Sequence, residues 1–184
     1  MTPAAPATIF QVDEAIGVLR RTPKTLRALL EGLQEPWVQA RESAASWSPF
    51  DVVGHLIHGE LTDWIPRATI ILEQGESTPF TPFDRFGHVE ASRGKTVSQL
   101  LDTFEHLRGL NLEKLLTWEL EQEQLDRTGS HPGLGTVTLR ELLSAWVVHD
   151  LGHIRQIVRG MAARYRAAVG PWDRPDYLLV LQPR

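Results

Sequence analysis

The stretch LLSAWVVHDLGHIRQI, residues 142–157, sets His149 and His153 four positions apart inside an apolar run. A helix turns about 100° per residue, so both imidazoles would project from adjacent turns of one face. That spacing lets two rings reach one ion. The same face carries Leu142, Trp146 and Ile157, so the rings point to the core or its rim. The glutamate of an H-E-x-x-H motif is missing, and Asp150 follows His149 instead. The plainer reading is a pair of core histidines bonded to backbone or to each other. Burying two imidazoles without partners is costly, however, and GHLIHGE supplies two more, His55 and His58. In an antiparallel bundle one of these could face the pair and complete a site of three histidines plus water. Periodicity leaves both open. His55 belongs to the face of Val52 and Leu56, and His58 to the margin of the stripe of Phe50, Val53, Ile57, Leu61, Trp64 and Ile71.

Composition narrows the chemistry. The chain has 184 residues, no cysteine and a formal net charge of −4. That length suits a single domain over residues 1–184 with a sizeable core. The lack of cysteine excludes disulfides, a thiol nucleophile and a Cys-built zinc site, leaving His, Asp, Glu or water as ligands. The mixed, mildly acidic charge gives no footprint for nucleic acid. Arg155, Arg159, Arg164 and Arg166 form a short basic cluster at one helix end, as the helix dipole favours. MTPAAPATIF lacks the basic and apolar regions of a signal peptide, and no run is long enough to span a bilayer. A cytoplasmic protein is expected.

Four helical segments must position these residues. The first covers roughly residues 9–34 and is interrupted at Thr22-Pro23. The second starts at SPFD, with Ser48 as cap, Pro49 at the first position and Asp51 at the third, and reaches about Gln74. Pro66 lacks an amide donor and clashes with the carbonyl of Thr62, so a kink is expected there. Residues 75–95 show no period and read as a long loop, with PFDRFG (Pro82–Gly87) as either a lid or a packed surface loop. The third helix begins at a Thr96–Gln99 capping box and runs to about Glu119. Beyond a turn-rich connector with one extended piece at Thr136–Thr138, a Thr138–Glu141 box starts the fourth, which reaches about Val169. Trp172, Tyr177 and Leu179 could pack the tail onto the bundle. Four long helices without convincing strands give an all-α four-helix bundle.

The entry SWSPFDVVGHLIHGE together with HPGLGTVTLRELLSAWVVHDLGHIRQI resembles the DinB/YfiT-like superfamily over nearly the whole chain. The resemblance implies a four-helix bundle holding a divalent ion, zinc or nickel, through His55, His149 and His153. His58 matches no ligand position and, with Glu60, is a candidate for contact with substrate or for catalysis. Some relatives are thiol transferases or isomerases using bacillithiol, mycothiol or glutathione, which implies a small-molecule substrate and a thiol cosubstrate. The expected function is a metal-dependent thiol transferase or hydrolase. The alternatives are a non-catalytic metal-binding stress-response protein and a homodimeric interaction module using Trp37, Trp118 or Trp172. Asp51, Asp63, Arg67 and Asp150 read as helix-face charges before any role at the site, and His88, His106 and His131 as surface or connector residues.

Overall fold

The computed structural model describes residues 10–182. The helices are α1 (Val12–Leu19), α2 (Thr22–Leu30), α3 (Glu35–Val38), α4 (Pro49–Thr62), α5 (Trp64–Glu73), α6 (His88–Ser92), α7 (Val97–Thr117), α8 (Gln122–Leu125) and α9 (Leu139–Ala163). Four rods build the bundle: α1 with α2, α4 with α5, α7, and α9. Local chemistry sets their ends. Ser48, Thr96 and Thr138 each accept from the backbone N–H three residues on, and the Asp51, Gln99 and Glu141 side chains return the bond. These reciprocal caps satisfy donors a helix start leaves open.

The two prolines break rods where expected. Pro66 falls in the first turn of α5, and the break sits at Asp63, whose φ of −113° and ψ of −77° leave helical geometry. Pro23 has no N–H for the carbonyl of Leu19, and α1 ends there. Arg108 Nη1 of α7 donates to that carbonyl at 2.8 Å instead.

That arginine belongs to a buried polar layer. Arg108 is 1 % exposed. It donates from Nε and Nη2 to Glu60 Oε1 on α4 (3.1 and 2.8 Å) and from Nη1 and Nη2 to Asp150 on α9 (2.7 and 3.1 Å). Asn111 holds the other oxygen of Glu60 at 2.9 Å. The rings of Phe104 and Trp146 sit 4.9 and 5.0 Å from the guanidinium. One side chain of α7 therefore bonds to the three other rods. Two apolar clusters flank it: Leu56, Phe104 and Ile157 belong to one, and Trp64, Leu112 and Trp146 to the other.

Several expectations need correction. A two-stranded antiparallel hairpin, β1 (Thr128–His131) and β2 (Gly135–Thr138), precedes α9. Only its second strand is legible in the sequence, because TGSH carries no alternation. Gly129 lets it pack: a Cβ there would lie 2.7 Å from Ile71 and 2.9 Å from Phe80. Residues 75–95 are not all loop, since they contain a 3₁₀ turn and α6. The last helix stops at Ala163, short of Val169, and a series of turns follows. Trp172, Tyr177 and Leu179 stay exposed, while Leu181 makes the tail's buried contact. Arg159 leaves the surface basic cluster: it is buried and paired with Glu42. Among the described residues, no helix is long and apolar enough to cross a membrane.

Candidate metal centre

His55 projects from α4, and His149 and His153 from successive turns of α9. Their ring nitrogens converge: His55 Nε2 lies 3.2 Å from His149 Nε2, which lies 3.0 Å from His153 Nε2. All three ligand atoms fall within 4.8 Å of one another. A neutral ring nitrogen carries one hydrogen or one lone pair, so it can satisfy one linear hydrogen bond. His149 Nε2 faces two others, and one nitrogen split between two hydrogen-bond partners does not satisfy all three fully. Three lone pairs shared by one cation would. With metal–nitrogen bonds of about 2.0–2.1 Å and tetrahedral angles, ligand nitrogens stand about 3.3 Å apart, close to the spacings seen. The residues fit a divalent ion.

Electrostatics agree. Burial holds the His55 pKa down to about 2, with His153 and His149 adding to the effect. Burial, then His153 and Arg108, hold His149 to about 3. Burial also lowers His153, against the pull of Gln156 and Asp150. All three rings are neutral at pH 7, the form that binds metal. His153 Nδ1 pairs with Gln156 Oε1 at 2.9 Å, the kind of outer contact that fixes a ligand ring. The Nδ1 atoms of His55 and His149 are buried without a partner among the described residues.

Aromatic walls enclose the cluster. The Trp47 ring lies 4.7 Å from His55 and stacks over His153 at 6.3 Å. Phe83 meets His55 edge-on at 5.5 Å, and Trp64 meets His149 at 5.0 Å. Phe86 and Arg85 pack on Trp47. From the 82–87 segment, Phe83 reaches the cluster itself, while Phe86 packs only on Trp47 and stays largely exposed.

The other expected site residues fall in different places. His58 lies beside Phe83, its ring 5.0 Å away. Its Nε2 is buried and unbonded, and a Cβ on Gly87 would come within 2.8 Å of it. Glu60 and Asp150 face Arg108 in the buried layer. For Asp150 this corrects the expectation of a helix-face charge. Asp51 caps α4 and pairs with Arg41. Asp63 and Arg67 pair at 2.7 Å one turn apart. His106 is exposed as expected. His88 is not a surface residue: it is 2 % exposed, 5.0 Å from Trp47 and 5.8 Å from His55. It is brought there by α6 closing on Gly54, where a Cβ would strike Ser92 Oγ at 2.5 Å.

Sequence reasoning misses Arg108 altogether. The signal is present: Leu101, Phe104, Leu112 and Leu115 surround it at −7, −4, +4 and +7, so the arginine sits on the apolar stripe of α7.

The architecture has relatives among solved structures. YfiT from Bacillus subtilis, a probable metal-dependent hydrolase with an unusual four-helix bundle topology, is 25% identical at a TM-score of 0.71, over 90% of this chain and 93% of that one. TT2238, a four-helix bundle protein, is 20% identical at a TM-score of 0.52, over 79% and 96%, a likeness that bears on fold alone. No curated protein matches the sequence. The family model of the DinB superfamily matches residues 19–157, from the end of α1 to the turn beyond His153. That match spans all four rods and all three converging histidines, and the chain belongs to the DinB superfamily.

Proposed function

We propose that this protein is a metal-dependent hydrolase of a small molecule, with His55, His149 and His153 as the ligands. The observation that carries the reading is the convergence of three neutral Nε2 atoms, of which hydrogen bonding would make one serve two partners. The likeness to YfiT supports hydrolysis as the reaction class. A zinc or nickel ion suits imidazole ligands, and when bound it would polarise the scissile bond and make water nucleophilic near neutral pH.

The chain's own residues have distinct tasks. His153 is oriented by Gln156. Trp47, Phe83 and Trp64 exclude bulk water from the rings, which strengthens every charge interaction there. His58 is one turn from His55 and keeps a free Nε2, so it is the residue that would give or take a proton at the substrate. Glu60 has both oxygens committed to Arg108 and Asn111, and it serves the scaffold.

Thiol transfer by the same centre is the second reading. It would need a thiol cosubstrate, because the chain has no cysteine. The test has two stages. Metal analysis of wild type beside His55→Ala, His149→Ala, His153→Ala and His58→Ala should show loss of the ion in the first three and retention in the last. Full occupancy in His149→Ala would overturn the site. Metal-loaded protein is then assayed on ester, amide and thioester probes with and without a low-molecular-weight thiol. Turnover without thiol, absent in His153→Ala, is expected. Turnover only with thiol would replace hydrolysis by transfer.

A further inference from the structure

A second feature shares Trp64 with the histidine cluster, since that ring also meets His149. A cleft of about 490 Å³ opens between α5, the hairpin and the start of α9. That volume is typical of small-molecule sites. Its apolar lining includes Trp64, Phe80, Leu142 and Ala145. Four ionisable side chains also line it: Asp63, Arg67, His131 and Glu141.

The state of each decides what the cleft can take. Arg67 is nearly buried and already committed. Nη1 pairs with Asp63 at 2.7 Å, Nη2 donates to the carbonyl of Thr81, and its plane stands 5.3 Å over Phe80. His131 Nδ1 accepts from the backbone N–H groups of Gly133 and Leu134 at 3.1 and 3.2 Å. A ring nitrogen that accepts carries no proton, so the neutral ring holds its hydrogen on Nε2. Burial and Arg67 keep this histidine below its ordinary pKa, which favours that neutral form at pH 7. Burial raises the Asp63 carboxyl and Arg67 opposes that; with Asp63 and Glu141 both ionised, two carboxylates face one arginine and the lining carries a net charge of −1. An anion entering the cleft would meet the carboxylate of Glu141 and an arginine already paired with Asp63. A cation would meet an aromatic floor and an excess of negative charge, the two features that favour ammonium groups.

We propose that this cleft is a binding site for a small organic amine with an apolar or aromatic body, its ammonium group directed to the carboxylates of Asp63 and Glu141. The site requires no ion at the histidine cluster.

Isothermal titration calorimetry on the full chain tests this with three probes of one shape: 2-phenylethylamine, 2-phenylethanol and phenylacetate. The amine is expected to bind once per chain, at least tenfold tighter than the alcohol, with no heat from phenylacetate. Asp63→Asn leaves Arg67 uncompensated and should invert the order, so that phenylacetate binds and the amine does not. Ala145→Trp, at an exposed wall position, should abolish binding of every probe while the melting temperature holds. The results should be the same in chelator-treated and metal-loaded protein, which separates this site from the histidine cluster. Absence of amine binding, preference of the wild type for phenylacetate, or unchanged amine binding in Ala145→Trp would each overturn the proposal.

Discussion

Substituting Arg108 by Met removes five hydrogen bonds at once and leaves Glu60 and Asp150 facing each other without a cation. Both carboxylates are essentially without solvent contact. The least costly relief is for a carboxyl to take up a proton. Bringing a group with an ordinary pKa near 4 to its neutral form at pH 7 costs about 4 kcal/mol. Breaking a buried ion pair from one side costs about 3–5 kcal/mol in general, which agrees. Asn111 still holds Glu60, whose carboxyl burial already raises, so the cost stays near one such protonation. The sign with pH follows. In the variant, the folded state binds a proton that the unfolded chain releases above about pH 4. Its deficit against wild type should therefore shrink by about 1.4 kcal/mol per unit as pH falls from 7 towards 5. Urea unfolding of chelator-treated wild type and Arg108→Met at pH 5, 6 and 7 measures this. A deficit below about 1 kcal/mol at pH 7, or one that does not change with pH, would refute the account of the layer.

Three further outcomes are expected. Metal-free protein should lose stability on acidification from pH 7 to 5. His55 and His149 stay neutral when folded but take protons near pH 6.5 when unfolded, so each costs about 2 kcal/mol at pH 5; unchanged urea midpoints over that range would count against their burial as neutral rings. Zinc or nickel at a hundredfold excess over its Kd should stabilise the fold by about 2.7 kcal/mol, read as a rise in melting temperature that His149→Ala lacks. Gly129→Ala should destabilise by about 1–3 kcal/mol because its methyl meets Ile71 and Phe80, whereas Gly109→Ala on open α7 surface should stabilise by about 0.5–1 kcal/mol; a thermal melt that ranks them the other way would contradict the packing.

Signals that act within a few residues are legible in the sequence itself. Ser48–Asp51, Thr96–Gln99 and Thr138–Glu141 mark three helix starts, and Pro23 and Pro66 mark two breaks, because caps and prolines act through the adjacent backbone. The placement of His149 and His153 on one face follows from helical spacing alone. The choice between His55 and His58 does not. Both lie on inward-reaching faces of α4, and only the rotation of α4 against α9 brings His55 to 3.2 Å from His149. His88 escapes sequence reasoning for a related cause. It has no partner at ligand spacing along the chain, and its burial depends on Gly54 admitting α6, a contact between elements.

The buried layer is legible in pattern but not in meaning. Arg108, Glu60 and Asp150 each occupy an apolar stripe, with Phe104 and Leu112, Leu56 and Trp64, and Trp146 as neighbours four residues away. A single charge on such a stripe looks like a defect in the helix assignment. Three of them, two acidic and one basic on three different helices, answer one another. The layer also bears on the histidine cluster, since Asp150 follows His149 directly and Glu60 lies five residues beyond His55. Three neutral imidazoles bring no charge to balance a divalent ion. The layer carries a net charge of −1 when its two carboxylates are ionised, in a medium that screens poorly. Asp150 favours a positive charge at His153, whereas Arg108 disfavours one at His149. The same side chains that lock the four rods in register therefore bring charge of both signs beside the three converging nitrogens, where a cation would sit.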